Sequence, residues 1–213
     1  MYSTATLFRR IDSFTIEPVS IRRICVYCGS SPGKSQVFVE SAQALGRELA
    51  TRKIEIVYGG GRRGLMGALA DAALAAGGRV AGIIPQSLVD AEIAHRGLTE
   101  LQVVHTMHQR KAEMTRRADA FLILPGAWGT LDELCEALTW AQLGIHHKPC
   151  GLLNVDGYYD LLLQFLGHAV DEKFLKLEDR ELLLVSGDLQ DLLGKMTQFR
   201  PRLSKIPAKL ETQ

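Results

Sequence analysis

The stretch LPGAWGTLDE, residues 124–133, carries groups able to hold an anion and to bring a carboxylate to it. An apolar run ends at Pro125, and a turn containing Gly126 and Gly129 follows. Gly129 and Thr130 place N–H groups and a hydroxyl at the start of an expected helix, which suits a phosphate. Glu133 follows one turn in. Thr130-x-x-Glu133 also has the spacing of a capping box, Thr130 as N-cap and Glu133 as N3, a role that needs no catalysis. In MHQRKAEM (107–114), Arg110 and Lys111 fall in the first turns of a second expected helix. The macrodipole disfavours cations there, so they are either solvated or set against an anion. Arg110 has the planar fork that binds phosphate or carboxylate.

Two more turns offer anion-binding groups. CGSSPG (28–33) is a Gly/Ser turn ahead of a helix, with backbone donors and the Ser30 hydroxyl. It reads equally well as an ordinary strand-to-helix turn. GGGRRGLMG (59–67) contains G-x-G-x-x-G at Gly59, Gly61 and Gly64, with Gly60 between them. It follows the second expected strand rather than the first, and no acid closes the next strand, so a dinucleotide site is not expected. No Gly-Lys-Ser/Thr is present to make a Walker loop. A mononucleotide or phosphate loop fits, and so does close helix–strand packing.

Other reactive residues carry less. Cys25 and Cys28 spell C-x-x-C, but they lie within an expected strand, where i and i+3 face opposite sides. No second cysteine pair completes a zinc site. Neither His105 with His108 nor His146 with His147 has metal-ligand spacing beside a carboxylate, so no metal is expected. Basic and acidic residues nearly cancel, 25 against 24, which gives no electrostatic case for nucleic acid or a membrane surface. No apolar stretch approaches the roughly 20 residues needed to span a bilayer. The first residues lack a long apolar run, so no signal peptide is expected. With cysteines in expected strands and a helix rather than in a disulfide framework, a reduced, cytoplasmic protein fits best.

The elements that must position these residues alternate along the 213-residue chain. Strands are expected over 22–29, 54–61, 79–85, 101–106, 119–125 and 148–155. Helices are expected over 35–53 with Ser35 as N-cap, 63–78, 107–118 and 130–144, and a helical C-terminal part from 158. Strands apolar on both faces, alternating with helices, imply a doubly wound, Rossmann-like α/β fold with a mostly parallel sheet and helices on both faces. Ligands of such folds sit at the carboxyl ends of the strands, and each glycine cluster here follows a strand. The expected organisation is an arm over 1–20, one nucleotide-binding domain over 21–199 and a mobile basic tail over 200–213.

These segments together resemble the LONELY GUY family, the cytokinin riboside 5'-monophosphate phosphoribohydrolases long labelled "lysine decarboxylase-like". Its signature P-G-G-x-G-T-x-x-E stands here as Pro125 to Glu133, and M-H-x-R-K as Met107 to Lys111. CGSS, GGGxxGLMG and TWAQLGIHHKPCGLLNVDGYY (139–159) are similar as well, and the likeness covers about residues 22–195. The decarboxylase label finds no pyridoxal phosphate lysine context. The resemblance implies hydrolysis of the N-glycosidic bond of a nucleoside 5'-monophosphate to free base and ribose 5-phosphate, without a cofactor. It implies Arg110 and Glu133 as the catalytic pair. Ser30, Gly60, Gly61, Met107, Lys111, Gly126, Ala127, Trp128, Gly129 and Thr130 are then expected around the substrate and its phosphate. Arg110 could bind phosphate or assist the leaving base. A homodimer is expected, since the family builds its site at a dimer interface. One position departs: Ala127 replaces the second signature glycine. If that position needed positive φ, strain of roughly 1–2 kcal/mol would follow. The alternatives are a nucleotide-binding protein without hydrolysis, in which Glu133 only caps, and a general purine or pyrimidine monophosphate nucleosidase.

Overall fold

Runs of apolar residues at strand length alternate with 3.6-periodic segments, and in the computed structural model, which describes residues 20–91 and 93–200, they form one seven-stranded sheet. The strands are β1 (Arg23–Tyr27), β2 (Glu55–Tyr58), β3 (Val80–Pro85), β4 (Glu100–Val104), β5 (Ala120–Ile123), β6 (Cys150–Leu153) and β7 (Leu183–Ser186). Their order is β4-β3-β2-β1-β5-β6-β7, and every pairing is parallel. The central strands are buried along nearly their whole length, which is why their sequences are apolar without alternation. The winding reverses between β1 and β5, the switch point at which such sheets open a crevice.

Helices cover both faces. On one face lie α1 (Gln36–Thr51), α2 (Gly64–Ala75) and α8 (Leu189–Gln198), whose Leu45, Leu49, Leu69 and Leu192 join Ile24, Ile56 and Leu122. On the other lie α4 (Met107–Arg117), α5 (Trp128–Gln142) and α6 (Asp160–Asp171), with Met114, Leu134 and Tyr159 around Val57, Phe121 and Leu152. Each fully buried leucine among these contributes roughly 1.5–3 kcal/mol of transfer free energy. Cys25 packs in the second cluster and Cys28 in the first, so C-x-x-C is split across the sheet. All four cysteines are free.

The remaining elements are short. Helix α3 (Gln86–Asp90) follows β3, and α7 (Leu177–Arg180) precedes β7. The C-terminal part, expected to be helical throughout, contains β7. LLVS pairs on one side only, against β6, and is half-buried, so it lacks the long apolar run that marks the central strands. Strand β2 stops at Tyr58 and its glycines lie beyond it. Ser35 occupies the N-cap position of α1 but makes no side-chain cap. Of the expected arm over 1–20 and tail over 200–213, all but Ser20 and Arg200 lie outside the described residues. Among the described residues, no helix is long and apolar enough to cross a membrane.

Candidate active site

The three glycine turns meet at the carboxyl edge of the sheet and are stitched together by backbone hydrogen bonds. Gly29 N–H donates to Pro125 O at 2.9 Å, and Leu65 N–H donates to Gly29 O at 3.1 Å. The buried Tyr58 hydroxyl donates to Gly61 O at 3.1 Å and holds the turn after β2. Gly64 has φ +59°, and a Cβ there would overlap the Ser30 backbone, so the start of α2 lies directly on the first turn. A cavity of about 490 Å³ opens between the turns. That is the size of a small-molecule site.

Helix α4 delivers the cation. Thr106 caps it, its hydroxyl accepting from Gln109 N–H at 3.1 Å, while Gln109 Oε1 accepts from His105 N–H at 2.9 Å. The side-chain cap is therefore here, at Thr-x-x-Gln, with Gln109 reaching back to the N–H of the residue before the N-cap. Arg110, one turn further, runs under the sheet edge and is only 9% exposed. Its Nη1 donates to Glu133 Oε1 at 2.9 Å and its Nε to Ile83 O at 3.3 Å. Gly59 makes this possible: any Cβ there would overlap the guanidinium.

Helix α5 delivers the carboxylate, and its start corrects the expected capping box. The helix begins at Trp128 with Ala127 as N-cap, so Thr130 and Glu133 both lie inside it and both are buried. Trp128 and Gly129 already have helical geometry, which moves the boundary two residues upstream. Glu133 caps nothing; its carboxylate faces Arg110. Leu131 N–H is the first to bond within the helix, to Ala127 O at 2.9 Å. The N–H groups of Trp128, Gly129 and Thr130 therefore have no helix partner, the condition that favours an anion. Ala127 has φ −111°, so the alanine carries no left-handed strain.

Burial pushes the Glu133 carboxyl above its ordinary range, and the charge and hydrogen bond of Arg110 pull it back down. Arg110 thus favours the ionised carboxylate in a site too dry to hold it otherwise. Ser30, Gly61, Arg110, Gly126, Ala127, Gly129, Thr130 and Glu133 all line the cavity. Gly60, Met107, Lys111 and Trp128 do not. Gly60 turns the chain with φ +73°, Met107 and Trp128 are exposed, and Lys111 is held by Asp132 and Glu136.

Several lining residues escape a linear reading. Tyr158, from the segment after β6, donates its hydroxyl to Gly126 O at 2.9 Å, and its neighbour Tyr159 donates to Leu124 O at 2.9 Å. Phe38, Met66, Leu88 and Ile93 form an apolar wall. The repeated tyrosine after a strand is the one signal that could have marked this region. Among the described residues, no lysine lines the cavity. Among the described residues, no group of three His, Cys, Asp or Glu side chains is placed to hold a metal ion.

Comparison with known proteins places the chain. A family profile described as "Possible lysine decarboxylase" matches residues 66–196. A cytokinin riboside 5'-monophosphate phosphoribohydrolase of Arabidopsis thaliana is 49% identical over 189 residues, 89% of this chain and 87% of that protein. A probable one from Oryza sativa subsp. japonica is 46% identical over 201 residues, 94% of this chain and 80% of that protein. The molybdenum cofactor carrier protein of Chlamydomonas reinhardtii aligns with a TM-score of 0.60 at 21% identity, over 84% of this chain and 99% of that one. The molybdenum cofactor binding protein of Rippkaea orientalis aligns with a TM-score of 0.62 at 19% identity, over 84% and 95%. At such identities these two structures share the fold alone.

Proposed function

The chain belongs to the LONELY GUY family of cytokinin riboside 5'-monophosphate phosphoribohydrolases, and we propose that it hydrolyses the N-glycosidic bond of such nucleotides to free base and ribose 5-phosphate. The observation that carries this reading is the buried Glu133 carboxylate, facing Arg110 in the cavity wall one helical turn beyond the free N–H groups of α5. Glycosidic cleavage develops oxocarbenium charge on the sugar. Glu133 stabilises that charge and orients or deprotonates the attacking water. The start of α5, with Thr130 and the Ser30 turn, holds the 5'-phosphate, so binding energy remote from the scissile bond positions the ribose. Arg110 favours the ionised form of Glu133 and is placed to meet the departing base or the phosphate.

The capping role that would have made Glu133 a merely structural residue has no support in the geometry, and Ala127 is unstrained. The catalytic unit spans 21–199. The protein acts as a homodimer, consistent with the exposed apolar face of α6, and free cysteines suit a cytoplasmic setting. The test is incubation of wild type and Glu133→Gln with AMP and isopentenyladenosine monophosphate, with product analysis. Free base and ribose 5-phosphate are expected from wild type only. Bound nucleotide without released base would overturn the reading, and the preference between the two substrates separates a cytokinin enzyme from a general nucleosidase.

A further inference from the structure

Lys111 follows Arg110 on α4, and Asp132 precedes Glu133 on α5, so two ionic contacts lie side by side between the same helices. Arg110 reaches Glu133 at the cavity wall. Lys111 Nζ lies 3.1 Å from Asp132 Oδ2 and 2.8 Å from Glu136 Oε2, with its side chain 14% exposed. Asp132 and Glu136 are four residues apart, one turn along a single face of α5. One ammonium between two carboxylates leaves a net negative group, which repels a phosphate rather than attracting one. Hydrophobic packing is non-directional, so a helix held by apolar contacts alone can roll about its axis. An ionic contact pinned at two points a turn apart opposes that roll.

We propose that Lys111 is a positioning residue, which bridges Asp132 and Glu136 to fix the rotation of α5 against α4 so that Glu133 meets Arg110. This rests on the hydrolytic reading above. The groups facing Glu133 are Arg110 and Lys111 from α4, Asp132 from its own helix, Cys25 and Tyr27 from β1, and Cys28 just beyond β1, the last three raised by burial. Removing the Lys111 charge takes a cation from Glu133 and leaves Asp132 unneutralised beside it.

The test compares wild type, Lys111→Met, Lys111→Arg and the double variant Asp132→Asn/Glu136→Gln. AMP is the substrate, and nucleotide-free protein is titrated with the Glu133 carboxyl followed by ¹³C NMR. Melting curves establish which variants fold, and kcat is compared among those that do. Lys111→Met is expected to lower kcat by about 10- to 100-fold with KM for AMP within about threefold, and Lys111→Arg to recover most of it. The double variant keeps the cation and is expected to lose kcat similarly. Glu133 is expected to titrate at higher pH in Lys111→Met than in wild type. A raised KM with kcat intact would make Lys111 a phosphate ligand and overturn the proposal, as would wild-type kcat in the double variant. If wild type itself releases no base, the hydrolytic reading fails separately, and an unshifted Glu133 titration in Lys111→Met then overturns the positioning role.

Discussion

Glu133 has opposing influences on its proton. Burial raises its pKa and Arg110 lowers it, with burial the larger. Catalysis needs the ionised form, so kcat/KM should fall as pH drops through this raised pKa, earlier than for an ordinary carboxylate. Arg110→Gln removes the lowering influence and should move the acid limb of the residual activity to higher pH; a limb that stays in place would separate the pair. The stability sign follows from linkage. A raised folded pKa contributes stability below the unfolded value, and that contribution is lost as pH rises through the folded value. Glu133→Gln, which keeps an acceptor for Arg110, should therefore leave Tm near neutral pH unchanged or higher. Ala127→Gly sets a better N-cap residue against greater chain entropy, effects of similar size and opposite sign. Unfolding free energy should change by less than about 1 kcal/mol and turnover by less than about twofold, as measured by calorimetry and steady-state assay. At this scale Arg110 was legible because a cation early in a helix calls for an anion. The capping box misled because spacing alone does not say where a helix begins.

Elements place these residues through loops whose logic is three-dimensional. Gly59 and Gly64 belong to one motif in the sequence, yet they answer different demands. A methyl at Gly59 meets the ends of two flexible side chains, Arg110 and Met66. Gly59→Ala should therefore fold, with Tm close to wild type, while displacing the guanidinium and lowering kcat about 100-fold. A methyl at Gly64 meets the Ser30 and Ser31 backbone, at a left-handed φ. Gly64→Ala should cost at least about 2 kcal/mol from αL strain and backbone displacement together, read as a lowered denaturation midpoint. Equal loss of stability in both would mean the turn packs as one unit. The motif's existence was readable; which glycine serves chemistry was not, because Arg110 arrives from a helix 51 positions away in the chain. Strand β7 was hidden for a related reason. A four-residue edge strand takes its pairing partner from β6 rather than from its own pattern.

At the scale of the molecule, the doubly wound sheet was legible because buried parallel strands must be apolar on both faces, and three glycine turns following strands mark one edge. What covers the surface is not written in that pattern. Helix α6 sets Leu162, Leu163 and Leu166 against the core, yet Leu161 and Phe165, also four apart, stand 79% and 62% exposed on its outer side. The helix begins just beyond Tyr158, at the cavity mouth, so a partner seated on this face would border the site. Two large apolar residues one turn apart are costly in water and form a ridge suited to helix packing. Wild type should sediment as a dimer, and Leu161→Glu/Phe165→Glu should sediment as a monomer with unchanged helical content, since neither side chain supports the core. Desolvating two carboxylates would cost far more than two rim contacts return. If the pair also borders a shared site, turnover should fall with the monomer fraction and recover as protein concentration rises. A double variant that stays dimeric with full turnover would place the contact on another face.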